Sequence, residues 1–315
     1  MRVVNRTPRR TMQGMKTNGP LLVTGASGHL GRRVVELLLA SEQTKGRKIV
    51  ATTRTPDKLA DLAARGVEVR AASFDDAASL ATAFRGVERA LIVSTDALDR
   101  PGRRFEQHKV AVEAAQDAGV RHVVYTSLTH PDPDSPITLA PDHWNTEKAI
   151  KDFGFTYTFL RNNIYADYLL SGLAYAVRTG KLVNAFGTGA VGYVARDDCA
   201  RAAAAALASS FDERAVLDIT GPAAVTQTEL AAIVTELTGR DVQYVPVDAD
   251  TQKKNLVGAG LPPAVAELLV SFELAAAKGQ LAVTSSAVLE LTGTAPMSVR
   301  ELLAANTAAL LGGAS

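Results

Sequence analysis

A chain of 315 residues that is 47% hydrophobic and 21% charged holds enough apolar material for a sizeable core, which excludes a disordered protein. Its 34 Lys and Arg balance 33 Asp and Glu, so no net field draws it to nucleic acid or to an anionic membrane surface. One cysteine, Cys199, excludes an intrachain disulfide and a cysteine-built zinc site; with no apolar run of membrane-spanning length, a cytoplasmic protein is expected.

Residues 1–19 carry Arg2, Arg6, Arg9, Arg10 and Lys16, no acidic residue and no apolar period, and are expected to be a disordered leader. From Leu21 onward, short apolar runs alternate with helical periods. Leu21-Leu22-Val23 reads as a buried strand, followed by Leu30, Val34, Leu37 and Leu38 at helical spacing. A second strand at 49–53 leads to a helix opened by Pro56. Further strands are predicted at 67–71, 90–94, 122–127 and 156–161, each separated by a helical stretch. This alternation predicts an α/β fold, a Rossmann-like doubly wound parallel sheet over 20–161. After Asn162 the pattern loosens through Gly187, Gly189 and Gly192 to an alanine-rich helix from Asp197, a strand at 216–220 and mostly helices. Residues 162–190 and 222–315 are expected to form a smaller, mainly helical substrate lobe, with a segment near 191–221 returning to the first domain.

The stretch Thr24-Gly25-Ala26-Ser27-Gly28-His29-Leu30-Gly31 lies between the first strand and the first helix. Glycines at this spacing allow a tight turn, close approach of backbone to a pyrophosphate, and close packing of helix on strand. The helix start then offers free N–H groups to phosphate. At the tip of the second strand, where an NAD site places a carboxylate, the chain has Thr53-Arg54 with Lys58 one turn on. Positive charge there attracts a 2′-phosphate, so NADPH is the expected cofactor.

Together with these motifs, Tyr125-Thr126-Ser127-Leu128-Thr129-His130, Asp142-His143-Trp144-Asn145-Thr146-Glu147-Lys148, Leu160-Arg161-Asn162, Gly260-Leu261-Pro262 and Ala277-Lys278-Gly279 carry a resemblance. From about 21 to 311 the chain resembles the NmrA-like branch of the atypical short-chain dehydrogenases/reductases, and within it the bacterial type 2 NAD(P)H:quinone oxidoreductases. The resemblance implies that Thr24, Gly25, Ser27, Gly28, His29 and Leu30 surround the pyrophosphate and Arg54 the 2′-phosphate. Ser73 and Phe74 would lie by the adenine, and Ser94 and Thr95 under the middle of the cofactor. Ser127 and Lys148 would approach the nicotinamide ribose, while Asn162 and Tyr165 border the nicotinamide and the acceptor. His130, His143, Trp144 and Asn163 are expected on the substrate side. Asn163 replaces a glycine of the family pattern, and Ser73 a common aspartate.

In short-chain reductases generally, a tyrosine four residues before the lysine protonates the substrate oxygen; here that position is Trp144, which is no acid. Ketone reduction would leave a strongly basic alkoxide, whereas a quinone yields a phenolate-like anion that water can protonate, phenols having a pKa of about 10. A quinone-like small molecule is therefore the expected substrate. Lys148, Asn162 and Tyr165 form the expected catalytic set, with Lys148 anchoring the ribose and stabilising the oxyanion. One of His130 and His143 is a further candidate proton donor. No histidine pair has metal-binding spacing, so neither metal nor flavin is expected. A reductase of double bonds or benzylic positions, of isoflavone-reductase type, and an NADP-binding regulator without turnover remain open. So do monomer and homodimer.

Overall fold

A computed structural model describes residues 19–312. All but the last residue of the expected leader lies outside them. The first half alternates without interruption: β1 (Leu21–Val23), α1 (His29–Ala40), β2 (Ile49–Thr53), α2 (Ala60–Ala64), β3 (Glu68–Ala71), α3 (Ala77–Phe84), β4 (Arg89–Ile92), α4 (Arg103–Asp117), β5 (His122–Leu128), α5 (Ala140–Asp152) and β6 (Thr156–Asn162). The second half comprises α6 (Leu169–Thr179), β7 (Lys181–Asn184), β8 (Ala190–Val191), α7 (Arg196–Ala208), β9 (Arg214–Ile219), β10 (Val225–Thr226), α8 (Gln227–Thr238), β11 (Gln243–Pro246), α9 (Ala249–Gly258), α10 (Pro263–Ala277), α11 (Ala287–Thr292), α12 (Val299–Ala305) and α13 (Thr307–Leu310).

Seven strands form one parallel sheet in the order β3-β2-β1-β4-β5-β6-β9. Leu21, Leu22 and Val23 are wholly buried, as expected of a strand covered on both faces. On one face Leu30, Val34 and Leu38 of α1 pack with Ala200, Ala203 and Leu207 of α7. On the other, α3, α4 and α5 bring Leu80, Phe84, Ala111, Ala115 and Ile150 onto Val50, Ile92 and Val123. The strand order reverses direction between β1 and β4, which opens a crevice at their carboxyl ends.

Arg196–Ile219 belongs with this sheet: α7 covers a face and β9 extends the edge beyond β6. Residues 190–191 instead pair with β10 in the lobe, antiparallel, and β7 pairs with β11, so two short ladders accompany its helices. The lobe has its own core of Leu173, Val177, Leu230, Val234 and Leu303. The Thr226–Glu229 pair closes a capping box on α8. Asp197 and Asp198 fall in the first turn of α7 rather than at its cap, and buried Asp198 accepts the Met297 amide, tying the lobe to the sheet.

Within the lobe, Glu273 is 7% exposed and accepts hydrogen bonds from the Ala185 amide (2.7 Å) and the Gln252 amide (3.1 Å). Burial pushes its carboxyl up to about 7 from the ordinary 4.5. Between these values the folded chain holds a proton that the unfolded chain has lost, so stability falls as pH rises from about 4.5 to 7. Glu273→Gln, with the Gln252 amide turned to accept, is expected to remove that slope and to be more stable at pH 8 by up to about 3 kcal/mol. Urea unfolding at pH 5, 6.5 and 8 checks this; an unchanged slope in the variant would refute it.

Candidate active site

The crevice begins at the turn after β1. Gly25 adopts φ +60°, a left-handed conformation that side chains disfavour. A Cβ on Gly31 would lie 2.5 Å from the Gly25 carbonyl oxygen, so α1 packs on the loop only because position 31 is bare. Gly28 differs from both. Its φ of −84° and ψ of 164° suit any residue, and its nearest neighbour to an added Cβ is 3.4 Å away. The fold does not require glycine there.

Ser27, Gly28 and His29 are exposed at the start of α1, which has neither a side-chain cap nor an acidic residue in its first turn. Its amides and positive dipole end are free for an anion. The Ser27 hydroxyl accepts from Thr53 Oγ1 at 2.9 Å, which ties this loop to the β2 tip. Two expected ligands turn inward. Thr24 is buried and its Oγ1 accepts the Val93 amide at 2.9 Å, locking β1 to β4. Leu30 packs its side chain into the core and offers only backbone.

Arg54 and Lys58 are exposed, and the nearby carboxylate Asp61 pairs with Arg32, leaving Arg54 without an ion-pair partner among the described residues. Arg54→Ala is expected to weaken NADPH about 10- to 100-fold, the worth of a charge-assisted hydrogen bond, and NADH hardly at all. Fluorescence titration with both coenzymes measures this, and equal losses would remove Arg54 from the 2′-phosphate.

At the β3 tip, the Ser73 hydroxyl accepts the Asp75 amide (3.2 Å) within a turn, and half-buried Phe74 meets His108 edge-on. Beyond β4, the Ser94 amide donates to Thr126 Oγ1 and the Thr95 amide to His108 Nε2, both at 2.9 Å. Thr95 Oγ1 is buried and has no partner among the described residues.

Helix α5 corrects the expectation for Lys148. Its inward residues are His143, Thr146, Glu147 and Ile150, an i, i+3, i+4, i+7 stripe. Lys148 lies off that stripe, exposed and paired with Asp152. The inward polar group is Glu147, fully buried, which accepts from Arg161 Nε (2.9 Å) and Nη2 (2.8 Å) and from Ser127 Oγ (2.7 Å). The Ser127 hydroxyl thus gives its proton to Glu147 and keeps only acceptor lone pairs for a ribose hydroxyl.

The end of β6 sends its two asparagines in opposite directions. Asn162 Nδ2 donates to the Tyr165 hydroxyl at 3.1 Å, and its Oδ1 is buried without a partner among the described residues. Asn163, expected beside the substrate, is buried and donates to the Leu281 carbonyl at 3.0 Å, so it fastens the lobe to the sheet instead. Burial pushes the Tyr165 hydroxyl far above its ordinary pKa, and Arg196 stacks over its ring. Tyr165 therefore stays protonated at neutral pH and stands as a wall and a hydrogen-bonding group.

The histidine expectation also changes. His143 is buried, with Nδ1 2.9 Å from the Tyr125 hydroxyl and Nε2 3.4 Å from Arg104 Nη2. Burial first, then Arg104 and His108, hold its pKa well below the ordinary value, so it is neutral and both nitrogens are engaged. It is no proton donor to a substrate. His130 takes a strained φ of +56° with Asp132 3.2 Å and Asp134 3.6 Å from its ring nitrogens. Trp144 is half-buried beside the inward stripe of α5.

Sequence reasoning missed Glu147, Arg104, His108 and Tyr125 as inward polar groups. The 143/146/147/150 spacing was the available signal for Glu147. Nothing comparable marks Arg104, whose neighbour Arg103 is half-exposed and paired with Asp75.

The NmrA-like family model matches residues 17–293. The chain is 37% identical over 273 residues to quinone oxidoreductase 2 of Escherichia coli, covering 87% of this chain and 93% of that one. The crystal structure of that NADPH-dependent quinone oxidoreductase complexed with NADPH superposes with a TM-score of 0.84 at 35% identity, over 91% of this chain and 99% of that one. The Citrobacter sp. triphenylmethane reductase complexed with NADP(H) gives 0.82 at 35% identity, over 89% and 98%. A glycine turn at the switch point, an unpaired arginine at the β2 tip and likeness along nearly the whole chain converge: this protein belongs to the NmrA-like family.

Proposed function

We propose that this protein is an NADPH-dependent oxidoreductase that transfers hydride to quinones or similar conjugated carbonyl acceptors without flavin or metal. Gly28 carries the reading: the fold has room for a side chain there and none is present, directly over a free helix start and beside unpaired Arg54. The relatives support the chemistry, one being a quinone oxidoreductase and another, at 28% identity over 290 residues, an NAD(P)H azoreductase of Xenophilus azovorans.

Gly25, Ser27, Gly28 and His29 surround the pyrophosphate, the Gly28 amide itself being held by the Gly25 carbonyl, and Arg54 holds the 2′-phosphate. Phe74 borders the adenine, and Ser94 and Thr95 lie beneath the middle of the cofactor. The unpaired oxygens Thr95 Oγ1 and Asn162 Oδ1 await donors, which a carboxamide or ribose hydroxyl supplies. When bound, NADPH supplies the hydride. Asn162 and Tyr165 orient the acceptor against it, and water provides the final proton. The sheet with Arg196–Ile219 forms the dinucleotide side, and the lobe covers the acceptor. No helix among the described residues is long and apolar enough to cross a membrane, and buried Cys199, whose thiol pKa burial raises, suits the reducing cytoplasm.

Mixing the protein with NADPH and a panel of quinones, enones and aldehydes, and following loss of reduced-nicotinamide absorbance, tests the reading. Turnover with quinones is expected. Tight NADPH binding with no turnover on any acceptor would indicate a sensor.

A further inference from the structure

Arg104 stands in the first turn of α4, beside the crevice, and is 7% exposed. Few buried arginines are so poorly matched. Its one hydrogen bond among the described residues runs from Nη2 to His143 Nε2 at 3.4 Å, and its Nε has no partner. Asp75 and Glu106 pair with Arg103, and Asp142, whose charge acts on Arg104, gives one oxygen to the Phe105 amide and makes no ion pair with Arg104 among the described residues. An unpaired buried cation opposes folding, because the lost hydration is not replaced. The fold nevertheless holds this one in place.

The holding is specific. His108 Nε2 accepts the Thr95 amide, so its proton sits on Nδ1 and is donated to Thr146 Oγ1 at 3.0 Å. Thr146 in turn donates to the Asp142 carbonyl. His143, neutral, accepts from Arg104 at Nε2 and donates from Nδ1 to the Tyr125 hydroxyl. Two imidazoles with settled tautomers and the Tyr125 ring between them therefore form a chain that ends at the guanidinium through His143, and none of them neutralises it. Arg104 opens the helix that follows β4 and reaches His143 in the first turn of the helix that follows β5, so in this parallel sheet it stands over the carboxyl ends of β4 and β5, away from the β2 tip where Arg54 stands.

We propose that Arg104 is a catalytic residue, whose guanidinium stabilises the anionic oxygen that develops on the acceptor during hydride transfer and so replaces the missing tyrosine. The inference rests on the quinone-reductase reading. The quinone gains one hydrogen and two electrons as the C–H bond of the dihydronicotinamide breaks and the nicotinamide is oxidised. It is left as a hydroquinone monoanion, and water adds the remaining proton. A fixed cation lowers the energy of that monoanion without itself giving up a proton.

Arg104→Gln is expected to lower kcat about 100-fold, as loss of one oxyanion donor does elsewhere, while the NADPH dissociation constant moves less than about threefold. Across a series of quinones the loss should grow with the basicity of the hydroquinone monoanion, an effect that a merely structural role would not produce. Arg104→Met should melt no lower than the parent, since it removes an unmatched charge. Should Arg104→Gln fail to fold, Arg104→Lys carries the same acceptor comparison, with a smaller and less basicity-dependent loss. A kcat within about threefold of the parent, an equal loss across the series, or a loss confined to NADPH binding would overturn the proposal. A parent protein that reduces no quinone would overturn the functional reading instead.

Discussion

Glu147→Ala is expected to cost about 3–5 kcal/mol, because it strands the Arg161 guanidinium and the Ser127 hydroxyl in the space between α5 and the sheet. Removing one partner of a buried pair leaves the other charge without solvent or counter-charge, and Lys151, 3.8 Å from Glu147, adds a second cation to the repulsion. Asp218 and Asp132, which also act on Arg161, soften the loss without replacing the bidentate contact. Thermal melting should show a fall on the order of 10 °C. Lys148→Ala, one residue away, should leave stability within about 0.5 kcal/mol and quinone turnover within about twofold, since its exposed pair with Asp152 contributes little. A large fall in kcat for Lys148→Ala with an unchanged melting curve would restore the lysine to the site.

Two alanine substitutions three residues apart separate the roles of the glycine turn. Gly31→Ala drives a Cβ to 2.5 Å from a backbone carbonyl oxygen, which no rotamer change relieves. The loop or the helix must shift, at a cost of about 1–3 kcal/mol, and NADPH affinity should fall on the order of 100-fold as the amides lose their alignment. Gly28→Ala meets nothing closer than 3.4 Å and keeps an ordinary backbone conformation. The free protein should melt at the same temperature or slightly higher, while NADPH binding weakens at least about 10-fold because the methyl occupies the phosphate's approach. Calorimetric titration together with melting curves distinguishes the two. Unimpaired NADPH binding by Gly28→Ala would place the pyrophosphate elsewhere.

The parallel sheet was legible because strands covered on both faces must be apolar along their whole length, and Leu21-Leu22-Val23 or Val123-Val124 cannot be read as half-exposed. The cofactor was legible for a different reason: backbone approach and charge complementarity act locally, so Gly25, Gly28 and Arg54 carry their meaning in a few consecutive residues. Asn163 was not legible in this way. Its amide finds the Leu281 carbonyl, more than a hundred positions along the chain, and only the closure of lobe on sheet brings that acceptor near.

The alternation of strand and helix, the glycine turn and the preference for a phosphorylated coenzyme follow from residue type at short range, where sterics and charge depend on neighbours in sequence. Which of two adjacent residues, Glu147 or Lys148, enters the protein follows from the phase of α5 against β5 and β6, a property of packing. The same packing of α4 on α5 converts Arg104 from one of two consecutive arginines into an enclosed cation, because burial is decided by what other elements place around a side chain and not by the side chain itself.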